Sequence, residues 1–256
     1  MACNTEPDSR YVIAIGAAAL DEYYTADTWP SEGGKAMVDY KEDMIGGMIP
    51  NAACVFAGYG VHTYLVDTLK NNSKKTDMIV SDLKAHGVKT GLLRYQDDIP
   101  DARTIIILTH RERTILVVEP HKPLLDIKAC ELDIFRKASY IYTTPVELKN
   151  IRNYMEFVDD MKNHHVKLAF DIEASTVDAC DKELIYKGDV LFFNEFGFEK
   201  IKGNRGEEEA FSEMFENGVE IATITLGEKG SFTATKNETF RTPAVKQQVV
   251  DTTGAG

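Results

Sequence analysis

Short apolar runs rich in β-branched residues alternate along this chain with segments of helical periodicity. The predicted strands span residues 11–15, 166–170, 189–193 and 220–226, and the predicted helices span residues 51–60, 77–86, 148–158 and 207–217. Strands separated by helices form right-handed βαβ units. The alternation therefore predicts an α/β fold, in which helices cover both faces of a mostly parallel sheet.

Two segments depart from this alternation. Residues 23–45 contain turn and strand-like residues but no helical stripe. Residues 101–119 contain two β-branched runs, 104–108 and 114–118, on either side of the charged tip 110–113. We expect the second segment to form a β-hairpin. Both segments together are expected to form a small sheet apart from the main one.

Ligands of open α/β sheets bind at the carboxyl ends of the strands. Several polar residues follow or end predicted strands, which predicts that they share one crevice. Each of them has an alternative role as a helix cap or turn residue, and for Asp171 that role is favoured. These residues are Asp21, Asp171, Asn194, Thr225 and Asp251.

The last six residues read Asp251-Thr252-Thr253-Gly254-Ala255-Gly256. Glycine and alanine let the backbone approach a ligand closely, because no bulky side chain intervenes. Successive N–H groups in such a turn form a concavity that binds anions, and a following helix would strengthen the attraction. The motif therefore predicts a phosphate-binding turn.

This motif resembles the signature Asp-Thr-x-Gly-Ala-Gly-Asp of the ribokinase-like (PfkB-type) carbohydrate kinases. The resemblance implies a three-layer αβα ribokinase-like fold with a mostly parallel central sheet and a small β lid. Residues 1–256 would form a single domain, with the lid built from roughly residues 22–45 and 99–119. We expect the C-terminal part of the family fold to belong after position 256.

The resemblance also assigns roles to the residues of the motif. It implies that Gly254, Ala255 and Gly256 form an anion hole for the transferred phosphoryl group. The catalytic base would be an Asp just beyond the end of the chain. Asp251 and Thr253 match the family's ligands for a monovalent cation, for which K⁺ is the candidate. As an alternative, Asp251 only caps the following turn.

A second resemblance concerns the substrate. The run from Gly46 and Gly47 to Asn51 resembles the family's sugar-binding turn, Gly-Gly-x-x-x-Asn, at a helix N-terminus. Asp21 matches an early aspartate that accepts sugar hydroxyls in strong charge-assisted bonds. Pro50 departs from the pattern, because it removes one N–H donor from the turn. The alternatives are a glycine turn with Asn51 as the N-cap and a loop carboxylate at Asp21.

A third resemblance concerns the nucleotide. Thr225, Gly227 and Gly230 match the family's Thr-x-Gly-x-x-Gly loop, although many β-hairpins need the same glycines. Asn194 matches the first position of Asn-x-x-Glu, which orders magnesium and phosphate waters in the family. The fourth position is Gly197 instead of Glu.

Two other carboxylates, Glu195 and Glu199, are candidates to replace that missing acid. Their side chains would leave the helix in different directions from that of position 197.

Composition restricts the partners. The formal net charge of −12 argues against nucleic acid and anionic membranes. The four cysteines are widely spaced, which is typical of reduced thiols in a cytoplasmic protein. The polar, acidic start does not read as a signal peptide, and the longest apolar stretch, residues 11–20, is too short to cross a bilayer.

The resemblance therefore implies an ATP-dependent sugar kinase. Such an enzyme transfers the γ-phosphoryl group of ATP, as its Mg²⁺ complex, to a substrate hydroxyl, and a homodimer through the lid is what the family suggests. Two alternatives stay open, namely a non-catalytic sugar- or nucleotide-binding protein and a nucleoside kinase. The sequence does not identify the sugar; Arg103, Arg111 and Arg113 are candidates to bind a phosphate already on it, or are solvated hairpin charges.

Overall fold

The computed structural model of this chain describes residues 10–110, 112–118 and 121–246. They divide into two compact units. The large unit contains residues 10–15 and 124–246. The small unit contains the described residues between 16 and 123.

The elements are numbered in chain order. The strands are β1 (Tyr11–Ile15), β2 (Ala19–Thr25), β3 (Asp39–Gly46), β4 (His62–Val66), β5 (Thr68–Lys70), β6 (Arg94–Gln96), β7 (Arg103–Leu108), β8 (Arg113–Val118), β9 (Tyr140–Thr143), β10 (Lys167–Ile172), β11 (Val190–Asn194), β12 (Ile221–Thr225), β13 (Ser231–Thr235) and β14 (Thr239–Thr242). The helices are α1 (Met48–Gly58), α2 (Lys74–Ala85), α3 (Ala129–Arg136), α4 (Pro145–Lys149), α5 (Tyr154–Asn163), α6 (Ala174–Ala179), α7 (Lys182–Ile185), α8 (Glu195–Lys202) and α9 (Glu207–Glu216), with a 3₁₀ turn at Gly227–Lys229.

The large unit is built on a mixed, mostly parallel sheet. Its strands follow the order β14-β13-β12-β11-β10-β9-β1. The neighbours from β12 to β1 pair in parallel, and β13 and β14 add an antiparallel edge. Ile13, Ile141, Phe170 and Leu191 on these strands are buried. The parallel sheet predicted from the alternation of strands and helices is thereby confirmed.

The apolar stripe at residues 148–158 belongs to two helices rather than to the single predicted one. Of the predicted stripe, Leu148, Ile151 and Val158 are buried, and Met155 is partly buried. The chain nevertheless leaves the helix after α4, and α5 begins after Asn153, whose backbone is left-handed at φ 56°. Asparagine tolerates this conformation better than most residues. Periodicity alone misses the break, because both helices bury the same stripe.

The small unit contains a separate four-stranded sheet. Its order is β3-β2-β7-β8. β7 and β8 form an antiparallel hairpin, with Arg103 opposite Val118 and Leu108 opposite Arg113, so the predicted hairpin is confirmed. β2 pairs with β7 in parallel and with β3 antiparallel, with a bulge at Tyr23 and Tyr24. The residues that departed from the βαβ alternation therefore form this sheet, while its function as a lid stays a prediction.

Helix α1 of the small unit begins three residues earlier than predicted. Its N-cap is Gly47, and Asn51 lies inside the first turn, where its N–H donates to the Gly47 carbonyl at 3.1 Å. The alternative of Asn51 as the N-cap is therefore wrong. Pro50 is compatible with the first turn because N–H groups there have no partner within the helix.

Candidate active site

Asp21 and Gly46 meet on one face of the four-stranded sheet. Ala19 on β2 lies opposite Gly46 on β3, so Asp21, two residues along from Ala19, points to the same face. The Asp21 carboxylate occupies the space that a side chain at Gly46 would take. Thr104, opposite Asp21 on β7, donates a hydroxyl hydrogen bond to it. Burial raises the pKa of Asp21, and the bond from Thr104 partly offsets the effect.

The turn between β3 and α1 requires glycine. Gly47 has φ 105°, which disfavours any side chain, and a Cβ there would also overlap the Ala17 carbonyl. Because Gly47 is the N-cap of α1, the positive end of that helix starts beside the residue that contacts Asp21. Asn51 is exposed one turn further along the helix. The small unit thus brings Asp21, Gly46 and Gly47 together at one helix end.

A buried ion pair, which the sequence reasoning missed, lies behind this turn. Asp67 follows β4, and only 7% of its surface is exposed. One carboxylate oxygen accepts the Ala18 N–H at 2.9 Å. The other accepts the Thr68 N–H at 2.7 Å and the Lys122 ammonium group at 2.6 Å. A lone acid directly after an apolar strand was the available signal, but its partner is 55 residues away.

Asp67 connects this ion pair to the glycine turn. Asp67 accepts the N–H of Ala18, the residue that follows Ala17. The Ala17 carbonyl lies in the space that a side chain at Gly47 would occupy. Burial raises the pKa of Asp67 to about 6, although Lys122 and the two N–H groups act in the opposite direction. Asp67 and Lys122 therefore hold the backbone that packs against the glycine turn beside Asp21.

The large unit places the predicted nucleotide-side residues next to one another. Asn194 ends β11 and lies opposite Thr225, the last residue of β12. The chain then turns into β13 through Gly227 (φ 55°) and Gly230 (φ 87°). A Cβ at Gly230 would overlap the Thr242 carbonyl, so this tight turn between strands requires glycine.

The Asn194 side chain makes a hydrogen bond that caps a helix. Its Oδ1 accepts the Gly197 N–H at 2.7 Å and caps α8. A Cβ on Gly197 would lie 2.6 Å from the Ile172 carbonyl oxygen and 3.0 Å from the Cα of Glu173. Any larger residue at position 197, including the family's Glu, therefore requires the turn after β10 to move.

The two carboxylates considered as replacements differ in their surroundings. Glu195 is the first residue of α8, and Glu199 pairs with Lys202 at 2.7 Å. Glu173, which the sequence reasoning did not consider, contributes the backbone that closes the space over Gly197.

We expect Gly197→Ala to lower the free energy of unfolding by about 1–3 kcal/mol, because the added methyl group overpacks against backbone. An open helical position would respond in the opposite direction, since alanine is favoured over glycine there by about 1 kcal/mol. Gly58→Ala in α1 is the matched control, because nothing lies within 4 Å of its added Cβ. Chemical denaturation measures both variants. If Gly197→Ala is as stable as the wild type or more stable, the backbone at Ile172 and Glu173 leaves room for a methyl group at position 197.

Asp171 is the penultimate residue of β10, so the strand continues one residue past this predicted end. The Tyr142 hydroxyl donates to it at 2.7 Å. Burial raises the pKa of Asp171, the Tyr142 bond lowers it, and the nearby Glu173 raises it further. The extra β10 residues pair with β11, so the strand continues to Ile172.

The terminal motif lies outside the described residues. This applies to Asp251, Thr253, Gly254, Ala255 and Gly256, whose predicted roles in cation and phosphoryl binding stay predictions.

Within residues 10–110, 112–118 and 121–246, three or more His, Cys, Asp or Glu side chains are nowhere grouped to hold a metal ion. The helices of that same part of the chain are all too short or too polar to cross a membrane.

Comparison with solved structures defines the class of the fold. The Arabidopsis thaliana ribokinase, solved in complex with ribose and ATP, superposes with a TM-score of 0.80 at 22% identity, covering 97% of this chain and 82% of that one. The Methanocaldococcus jannaschii nucleoside kinase superposes with a TM-score of 0.75 at 18% identity, covering 96% and 80%. The chain therefore has the three-layer ribokinase fold with a mostly parallel central sheet.

Sequence comparison then identifies the family. The pfkB family carbohydrate kinase model matches residues 9–256. An ATP-dependent 6-phosphofructokinase of Thermoanaerobacterium thermosaccharolyticum is 22% identical over 263 residues, covering 97% of this chain and 79% of the relative. This chain belongs to the pfkB family of carbohydrate kinases, and it is an ATP-dependent kinase.

Proposed function

We propose that the small unit binds the acceptor of this kinase and presents one of its hydroxyl groups for phosphorylation. The observation that carries the proposal is the Asp21 carboxylate packed over Gly46 at the start of α1. A partly buried carboxylate beside a helix N-terminus accepts hydroxyl hydrogens in a fixed direction. The exposed Asn51 amide, one turn away, offers both a donor and an acceptor to a second hydroxyl.

Phosphoryl transfer depends mostly on positioning and on stabilising charge. Asp21 and the Gly46–Gly47 turn would orient the acceptor. On the nucleotide side, the Asn194 and Thr225 edge with the turn at Gly227 and Gly230 would contact ATP, and Mg²⁺ would enter with ATP as its complex. Support for this assignment comes from the adjacency of the two strand ends in the large unit.

The chemical step is assigned to the terminal motif. The N–H groups of Gly254, Ala255 and Gly256 would stabilise charge on the phosphoryl oxygens. An Asp that follows them would accept the proton of the hydroxyl, and Asp251 and Thr253 would hold K⁺. Closure of the four-stranded sheet over the acceptor would exclude water, so that the hydroxyl attacks instead.

The assembly and location of the protein are secondary proposals. Tyr40 and Leu116 are exposed on one face of the four-stranded sheet, which supports a homodimer through it. Cys54, Cys130 and Cys180 are free thiols, which supports a cytoplasmic location.

One observation favours a second function, which is binding of sugar or nucleotide without turnover. Gly197 stands where the family has an acid, and the surrounding backbone leaves no room for one. Turnover by the complete protein decides between the two functions.

The test measures ATP consumption by the complete protein with a panel of sugars, sugar phosphates and nucleosides. We expect Gly46→Ala to lower kcat/KM at least about 30-fold, because displacing a charged partner costs about 2 kcal/mol. Gly58→Ala, an open position on the same unit, should retain wild-type activity. If the wild-type protein binds acceptors without phosphorylating any of them, the binding function is correct. If Gly46→Ala is as active as Gly58→Ala, the acceptor site is elsewhere.

A further inference from the structure

Related kinases are named for acceptors with a phosphate group and for acceptors without one. One feature of the small unit distinguishes between these two kinds of acceptor. This feature is the face of the four-stranded sheet that holds Asp21. The inference rests on the proposed function, because it assumes that Asp21 contacts the acceptor.

The pairing register defines two rows of side chains on this face, since residues opposite each other in a ladder project to the same side. We call them the acceptor face. The first row crosses the sheet through Met44, Asp21, Thr104 and Val117, and the second through Glu42, Tyr23, Ile106 and Ile115.

The acceptor face carries negative charge. Its ionisable acids are Asp21 and Glu42, and neither row contains Lys or Arg. The nearest basic residue in sequence is Lys41, whose ammonium group lies 3.6 Å from Glu42 with both side chains about half exposed. A phosphate group held by these rows would therefore meet two carboxylates, a like-charge arrangement that costs several kcal/mol.

The arginines considered as phosphate ligands lie elsewhere. Arg103 is opposite Leu20, on the other face of the sheet, and its guanidinium group lies 3.5 Å from the buried Glu22. Glu22 is also paired with Lys75.

Arg113 lies on the same face of the sheet as Asp21 but two rows further along the strands. It is opposite Leu108, which is itself opposite Thr25. Relative to Asp21, Arg113 is displaced by four residues along the strand direction, which is about 14 Å, and by two strands across the sheet, which is about 10 Å. Arg111 lies outside the described residues. Arg103 and Arg113 therefore do not neutralise a phosphate beside Asp21.

The same face also exposes apolar side chains next to the carboxylate. Val117 is 71% exposed, Met44 is 51% exposed and Ile115 is 46% exposed. Apolar surface with a few directed polar groups is typical of sites for ring-bearing small molecules, and methionine adapts well to aromatic rings. A bare sugar would leave these apolar groups uncovered, whereas a ring attached to the sugar would cover them.

We propose that the acceptor is an unphosphorylated nucleoside. Its ribose hydroxyl groups bind Asp21, and its uncharged base lies against Met44, Ile115 and Val117. The two rows of the acceptor face carry carboxylates and no Lys or Arg, which disfavours sugar phosphates beside Asp21, and their exposed apolar surface favours a nucleoside over a free sugar.

The test compares binding and ATP-dependent phosphorylation of adenosine, cytidine, ribose, fructose and fructose 6-phosphate by the complete protein. We expect at least one nucleoside to bind 10-fold or more tightly than either free sugar or the sugar phosphate, by calorimetry and by kcat/KM. Val117→Lys places a cation beside the Asp21 row, so it should weaken nucleoside binding at least 10-fold and strengthen binding of fructose 6-phosphate. Met78→Lys, at an exposed apolar position of α2 in the same unit, should change neither.

The outcomes separate the two proposals. Preferred phosphorylation of a free sugar or of fructose 6-phosphate would overturn the nucleoside assignment and leave the kinase function intact. Equal effects of Val117→Lys and Met78→Lys would overturn the role of the acceptor face. Absence of phosphorylation with every acceptor would overturn the proposed catalytic function, and the nucleoside assignment with it.

Discussion

Lys122→Met is expected to lower the free energy of unfolding by about 3–5 kcal/mol, the usual cost of removing one partner of a buried ion pair. The Asp67 carboxylate is buried, and Lys122 contacts it at 2.6 Å. Without the ammonium group, the charge on Asp67 keeps only the N–H groups of Ala18 and Thr68 as partners. Urea denaturation at neutral pH measures the loss.

The matched control is Lys200→Met. Lys200 pairs with Asp178, and their side chains are 41% and 61% exposed. Exposed pairs contribute about 0–1 kcal/mol, so this variant should remain close to the wild type. If both variants lose equally little, the Asp67 carboxylate is solvated or already protonated near neutral pH.

The loss of unfolding free energy in Lys122→Met should depend on pH. The folded-state pKa of Asp67, about 6, lies above its ordinary value of 3.8. The protonated group therefore contributes stability that is fully present below pH 3.8 and is lost as pH rises through about 6. A neutral carboxyl group does not need the ammonium partner, so the loss should be smaller at pH 4 than at pH 7.

Asp21→Asn is expected to lower kcat/KM for the acceptor by roughly 30- to 1000-fold, which corresponds to about 2–4 kcal/mol for a charge-assisted contact. Asparagine keeps the size of the side chain but loses the charge that accepts hydroxyl hydrogens. Stability should not fall. Burial raises the pKa of Asp21, which means that its charge opposes folding, so a neutral side chain is tolerated at least as well.

The control for this second variant is Asp43→Asn. Asp43 lies opposite Glu22 on the other face of the same sheet, so it does not point towards the acceptor face. Steady-state kinetics and thermal unfolding should show an activity loss for Asp21→Asn alone, with both variants folded. Equal activity of the two variants would remove Asp21 from the acceptor site, and a shared loss of stability would indicate a structural role.

The elements that could be predicted from sequence are those specified by local patterns. The hairpin of β7 and β8 was predicted because two β-branched runs flank a charged tip, and β11 was predicted because its apolar run ends at a polar residue. Strand and helix periods are properties of neighbouring residues. The glycines at positions 46 and 47 were also identified locally, from their spacing to Asn51.

Element boundaries were less accurate, because competing contacts decide them. The stripe from Leu148 to Val158 correctly predicted burial but missed the left-handed residue Asn153. Helix α1 starts before Asn51 because Gly47, at positive φ, takes the N-cap.

The sequence by itself determined the class of fold, the family and a small set of polar and glycine residues that are candidates for ligand binding. Only the tertiary structure revealed that Lys122 neutralises Asp67, that Gly197 packs on the Ile172 carbonyl, and that Arg103 turns away from Asp21. The physical reason is that charge pairing, close packing and the side of a sheet depend on residues tens of positions apart, whose proximity no local period encodes.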